Sequence, residues 1–131
     1  MFFDGSVSKA GTSVGVYIIS PIKDTKSHSY KLIFECSNNA AEYEALLLGL
    51  QALKDVGTKR VQIFGDSELV VNQVNDVYQT KNPRMRAYWN KVWDMFGNFF
   101  TEHTVQVIPR EKNTVADSLA TATGIFEAPG A

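Results

Sequence analysis

Four acids in this chain occupy positions from which a carboxylate can be presented beyond the end of a strand or helix: Asp4, Glu42, Asp66 and Asp117. Each also has an ordinary use. Asp4-Gly5-Ser6 reads as a turn, because Asp, Gly and Ser favour turns for separate steric and hydrogen-bonding reasons. Glu42 follows Asn39, and Asp117 follows Thr114, at the spacing of a capping box. Asp66 falls between a strand-like and a helix-like run, where an acid caps free N–H groups and complements the helix dipole. Their combination suggests more. Asp4 lies on or just past a first strand, Glu42 and Asp117 in the first turns of helices, and Asp66 at the end of a parallel strand. In open α/β sheets such places converge on one crevice beyond the strand ends. Four acids in one crevice could not all stay ionised without a strong counter-charge. Hard divalent cations such as Mg²⁺ or Mn²⁺ supply it, taking oxygen ligands from a few carboxylates and from substrate phosphate. Two such ions about 3.5–4 Å apart stabilise both the attacking and the leaving oxygen of an in-line phosphoryl displacement.

The elements that must position these acids are legible in outline. Phe2–Phe3, Val14–Ile19 and Tyr30–Phe34 are β-rich runs separated by Gly, Pro, Asp and Ser, which predicts three strands in a meander. From Ala40 to Val56 apolar residues recur at helical spacing, with Asn38 and Asn39 as caps and Gly57 as the stop. Val61–Phe64 reads as a strand and Ser67–Val74 as a helix; past the Asn82–Pro83 turn a longer helix runs to about Glu102. Val105–Ile108 is a last strand and Thr114–Ala122 a last helix. The expected architecture is therefore α/β: a five-stranded mixed sheet with helices packed on both faces, in one domain over 1–125, with 126–131 as a linker-like tail.

The 131 residues, 44% of them hydrophobic, suffice for one core without staples. Cys36 is the lone cysteine and reads as a small core residue. No apolar run is long enough to cross a bilayer, and an intracellular setting, cytoplasmic or nuclear, is expected. A net charge of −1 carries no global signature of a nucleic-acid binder, although Lys81, Arg84, Arg86, Lys91, Arg110 and Lys112 can form a local basic rim. His28 and His103 have no second His or Cys at ligand spacing. Tyr88, Trp89, Val92, Trp93, Met95, Phe96, Phe99 and Phe100 form an aromatic helix expected to pack on the sheet.

Four strings carry a family resemblance: Phe3-Asp-Gly-Ser6, Asn38-Asn-Ala-Ala-Glu-Tyr-Glu-Ala-Leu46, Asp66-Ser-Glu-Leu-Val-Val-Asn-Gln73 and Arg110-Glu-Lys-Asn-Thr-Val-Ala-Asp-Ser-Leu-Ala120. In order and spacing they resemble the signature segments of type 1 ribonuclease H, and most closely the ribonuclease H-like domains of plant gypsy-class retrotransposon polyproteins. The resemblance implies the ribonuclease H fold and cleavage of the RNA strand of RNA/DNA hybrids. It implies Asp4, Glu42, Asp66 and Asp117 as catalytic ligands of two Mg²⁺ or Mn²⁺ ions, Asp4 bridging both. It also implies substrate contacts from Gly5, Ser6, Asn38, Asn39, Gln73, Lys81, Arg84, Arg110 and Asn113. Asn38, Asn39 and Gln73 carry donors and acceptors suited to a minor groove, against capping or a solvated helix face as their plain roles. Expected partners are the hybrid and the reverse transcriptase and integrase domains of the same polyprotein, with the isolated piece monomeric.

The sequence departs from the family pattern in two places. Ile108–Asn113 is shorter than the mobile histidine-bearing loop of well-studied relatives and has no histidine; Arg110 or Lys112 is the candidate substitute. The Trp- and Lys-rich basic protrusion of some relatives is missing, leaving Tyr78–Arg84 as the nearest candidate for contact with the DNA strand. Two other readings stand beside the first: a non-catalytic connection module that keeps the fold, and a nuclease acting on another duplex.

Overall fold

The computed structural model describes residues 1–8, 11–20, 25–32, 37–75 and 81–114. The first three strands are β1 (Phe2–Ser8), β2 (Gly11–Ile19) and β3 (Thr25–Leu32). Helix α1 (Asn38–Asp55) follows, then β4 (Arg60–Gly65), the short helix α2 (Glu68–Val74), helix α3 (Pro83–Phe99) and β5 (Glu102–Val107). A 3₁₀ turn spans Arg110–Lys112. The strands form one mixed sheet in the order β3-β2-β1-β4-β5. The meander β1-β2-β3 is antiparallel, whereas β4 joins β1, and β5 joins β4, in parallel. A parallel neighbour requires a crossover, which α1 supplies between β3 and β4.

Helix α1 packs on β1 and β2, α2 on β5, and the three helices touch one another. Between them lies a core that includes Phe3, Val14, Val16, Tyr43, Leu46, Leu50, Ile63, Val70, Val74, Val92 and Phe96. Helix α1 comes close because Ala41, Ala45 and Gly49 recur every fourth residue and are all buried. A side chain on Gly49 would run into Met1 and Val16. The aromatic face of α3 is core, as expected: Tyr88, Val92 and Phe96 are buried, as is Phe100 just past its end. Its two indoles do a second job, since Trp89 Nε1 and Trp93 Nε1 donate to the carbonyls of Gln73 and Val74, each at 3.0 Å. They satisfy backbone acceptors that a helix end leaves without intrahelical partners.

Several boundaries differ from the sequence reading. β1 does not stop for a turn at Asp4-Gly5-Ser6; it runs on to Ser8 in register with β2, Asp4 opposite Gly15. β3 begins at Thr25, in a polar stretch that shows no hydrophobic pattern because it is an edge strand with half its side chains out. The cap of α1 is Ser37, whose hydroxyl accepts from Ala40 N at 3.2 Å, so Asn38 and Asn39 are first-turn residues rather than caps. α2 is likewise capped by Ser67, with Asp66 standing one residue outside it. α3 ends at Phe99, and Glu102, expected in the helix, opens β5 in register with Arg60. Cys36, residues 115–122 of the expected last helix and the tail 126–131 lie outside the described residues. No helix among the described residues is long and apolar enough to cross a membrane.

Candidate metal and nucleic-acid site

The parallel pairing of β1 with β4 puts Phe3 opposite Gly65, and the next residue is an acid in each case, Asp4 within β1 and Asp66 just past the end of β4. Strands in a sheet lie about 4.8 Å apart, so the two carboxylates start from adjacent backbones. Gly65 is needed for that pairing, because a Cβ there would stand 2.6 Å from the Phe3 ring. Glu42 arrives from α1 across a second close approach. A Cβ on Gly5 would lie 2.5 Å from the Ala41 carbonyl oxygen and 2.6 Å from Glu42 N. With only hydrogen at that position, Gly5 N donates to Glu42 Oε1 at 2.8 Å. Glu42 therefore reaches across to β1 rather than back to Asn39, and the capping-box role is not the one it takes.

One ligand oxygen each from Asp4, Glu42 and Asp66 lies within 4.8 Å of the others, and Asp4 and Glu42 are buried. Burial, more than any neighbour, pushes the Glu42 carboxyl up to about 7. A hydrogen bond with Asp4 and the Gly5 amide oppose the rise, the Asp66 charge adds to it, and the Arg110 guanidinium lowers it. A bond between Glu42 and Asp4 needs a proton on one of the pair. With both ionised, Glu42 Oε2 is a buried acceptor that meets no donor among the described residues. Three hard oxygen donors, one of them buried and lacking a donor, fit a divalent cation. Among the described residues this is the one group of three or more His, Cys, Asp or Glu side chains arranged to hold a metal.

The fourth acid, Asp117, lies outside the described residues. Asn113 is the residue whose role the sequence reading missed. It was expected at the substrate; instead it is 1% exposed, with Nδ2 donating to Phe3 O and to Asp66 Oδ2, each at 3.0 Å. A buried Asn in a polar loop segment leaves no hydrophobic trace, and only the proximity of the folded strands reveals it. Gln73 is not on a solvated helix face. It is buried, and its Oε1 accepts from Tyr43 Oη at 2.8 Å. Gly5 and Ser6 are half-buried on β1, Asn38 is exposed and Asn39 half-buried in the first turn of α1. Lys81, Arg84, Arg110 and Lys112 are all exposed, Arg110 being the one close enough to act on Glu42. His103 stacks on Phe96 with ring centroids 3.8 Å apart.

A family model described as reverse transcriptase-like matches residues 2–123. Ribonuclease HI of Halobacterium salinarum is 29% identical over 121 residues, covering 91% of this chain and 60% of that protein. The crystal structure of RNase H1 from this halophilic archaeon superposes with a TM-score of 0.81, at 27% identity and with 92% of both chains covered. A ribonuclease H1 isolated from compost by a metagenomic approach, solved in complex with an RNA/DNA hybrid, is 31% identical. That superposition has a TM-score of 0.84 and covers 92% of this chain and 91% of the other. The foamy viral protease-reverse transcriptase, at 17% identity and a TM-score of 0.73, shares the fold over 95% of this chain and 19% of its own. The chain spans 60% and 56% of the lengths of the first two curated relatives it matches. With the family model matched over nearly its whole length and the sheet order, crossover and acid-bearing strands in place, this chain belongs to the reverse transcriptase-like family and has the ribonuclease H fold.

Proposed function

We propose that this protein is a metal-dependent endonuclease that hydrolyses the RNA strand of RNA/DNA hybrids. The observation that carries the reading is the convergence of Asp4, Glu42 and Asp66, with ligand oxygens within 4.8 Å of one another and the Glu42 Oε2 buried without a donor among the described residues. These three would hold Mg²⁺ or Mn²⁺, two ions in the complete site, with Asp117 as the further ligand. It follows Asn113 by four residues, a chain length that spans at most about 14 Å. Divalent ions there supply charge stabilisation for the attacking water and the departing oxygen of an in-line displacement. The products are a 5′-phosphate and a 3′-hydroxyl.

The protein's own groups orient and neutralise. Gly5 N fixes Glu42 Oε1 and so aims the other oxygen inward. Arg110, exposed beside the cluster, is placed to neutralise the phosphate as product leaves, the part assigned to a loop histidine in relatives. Asn38 and Asn39, at the entrance to the helix that carries Glu42, suit the minor groove and the RNA 2′-hydroxyls, with Gly5, Ser6 and Gln73 behind them. Lys81 and Arg84 would meet the DNA backbone, and Asn113 supports the acids from beneath. The ribonuclease H1 solved on a hybrid lends support as a relative covered almost throughout. The finer setting we propose is a domain over 1–125 with a linker at 126–131. It would belong to an intracellular retroelement polyprotein, of the plant gypsy class, beside reverse transcriptase and integrase domains.

The test is a cleavage assay on hybrid, double-stranded RNA and double-stranded DNA, each with Mg²⁺, Mn²⁺ or EDTA. Cutting of the hybrid's RNA strand alone, abolished by EDTA and by Asp66→Asn, is the expected outcome. Metal-independent cutting, or none of any substrate, refutes the proposal.

A further inference from the structure

The amide nitrogen of Asn113 has two hydrogens and two acceptors: the carbonyl of Phe3, whose peptide leads into Asp4, and Oδ2 of Asp66. Its backbone N–H bonds Arg110 O at 3.0 Å and closes the 3₁₀ turn that bears Arg110. One buried side chain thus joins the backbone before one acid, the carboxylate of a second, and the turn carrying the nearby cation. Its own Oδ1 is buried and meets no donor among the described residues. An apolar residue would spare the desolvation of that acceptor but leave Phe3 O and Asp66 Oδ2 without these donors, so the amide is structural as well. Charge explains why the donor is a neutral amide. A Lys or Arg holding Asp66 would compete with the metal for its charge, whereas a neutral amide restrains one oxygen and leaves the carboxylate anionic. Asp in place of Asn113 would remove the donors and add repulsion.

We infer that Asn113 is the positioning residue of the acid cluster, holding Asp66 and the Asp4 backbone in the geometry that receives the cation; this rests on the metal-site reading proposed above. Partners of metal ligands commonly change metal affinity by about 10–100-fold when removed.

The test uses the full chain and Mn²⁺ alone. Asn113→Leu deletes both donors and the orphan acceptor while keeping the branched shape and number of side-chain heavy atoms, its methyl groups being larger than the atoms they replace. Calorimetric titration is expected to show Mn²⁺ bound about ten-fold more weakly, with a lower melting temperature in EDTA because Phe3 O loses its donor. With hybrid substrate, kcat is expected to fall and KM to stay. A second measurement needs no variant: the Asn113 side-chain amide resonances of the wild-type protein should exchange slowly and shift as Mg²⁺ saturates the site. Mn²⁺ affinity within two-fold of wild type in Asn113→Leu overturns the inference. If that variant does not fold, the wild-type resonances decide, and their indifference to Mg²⁺ overturns it equally. A wild-type chain that takes up no Mn²⁺ refutes the nuclease reading itself and this inference with it; uptake without any effect at Asn113 refutes only the latter.

Discussion

Gly5 and Glu42 are joined by a backbone-to-carboxylate hydrogen bond of 2.8 Å, across a gap between β1 and α1 too narrow for any side chain at position 5. The contact ties strand packing to carboxylate orientation. A methyl group there would force the strand and helix apart and displace Glu42 together with its donor.

Gly5→Ala is expected to cost about 1–3 kcal/mol or more, the usual range for overpacking, and to weaken Mn²⁺ binding as well. Gly97→Ala is the matched control. A Cβ at Gly97 meets nothing within 4 Å, and the position lies in α3, so the substitution should stabilise by roughly 0.5–1 kcal/mol. Urea denaturation of both variants reads the opposite signs; a neutral Gly5→Ala would show that the helix can retreat without loss.

Glu42 gives the metal-free protein a pH dependence of unusual direction for an acid. Burial raises its carboxyl in the folded chain from the ordinary 4.5 to about 7. Between those values the folded state holds a proton that the unfolded state has released, so stability is greatest below about 4.5 and declines as pH rises through about 7. The full swing is roughly 3 kcal/mol. Glu42→Gln removes this slope and should be the more stable protein at pH 7.5 in EDTA. Denaturation midpoints from pH 4.5 to 7.5 check it, and parallel profiles for the two proteins would contradict it.

Divalent metal should reverse that loss. A cation that binds only the folded chain at a hundred times its dissociation constant adds about 2.7 kcal/mol. Melting temperature should therefore climb with Mn²⁺ or Mg²⁺ at pH 7.5 and respond less at pH 5.5, where the proton on Glu42 must first leave. Asp66→Asn should flatten the response at both values. A melting temperature indifferent to millimolar metal would mean the three acids hold no cation of useful affinity.

Tyr43→Phe isolates the polar contact buried beneath the site. It leaves Gln73 Oε1 without the hydroxyl that donates to it, at a cost of about 1–3 kcal/mol, while the ring stacking on Tyr88 remains. Urea midpoints test the loss; an unchanged midpoint would mean that Gln73 finds another donor at once.

Much of this architecture was readable in advance, and the failures have a common cause. Helix α1 was visible because its apolar residues recur at helical spacing, and the run into Asp66 because a β-rich stretch meets a helical one there. β3 was misplaced because Thr25–Ser29 forms an edge, where pairing to β2 rather than burial holds the chain. The end of α3 was overrun because Phe99 and Phe100 prolong an aromatic pattern past the point where Lys59, just before β4, captures the backbone, Thr101 N bonding Lys59 O. At the site, Asp4, Glu42 and Asp66, which the fold brings together, could be singled out because carboxylates at strand and helix ends are conspicuous as residue types. Asn113 and the Tyr43–Gln73 bond were not, since their meaning lies in partners 110 and 30 residues away. Gly5 looked like a turn or substrate residue because nothing local distinguishes a glycine made necessary by a neighbouring helix.

The two indole N–H groups that close the end of α2 also impose a counting rule. Trp89 and Trp93 are one helical turn apart, and they serve carbonyls of consecutive residues. A single residue inserted between them would swing one ring about 100° around the α3 axis, stranding its carbonyl and loosening the seven-residue helix that starts just after Asp66. Lineages of this domain should therefore vary freely in loop length elsewhere, yet admit no insertion or deletion between these two tryptophans.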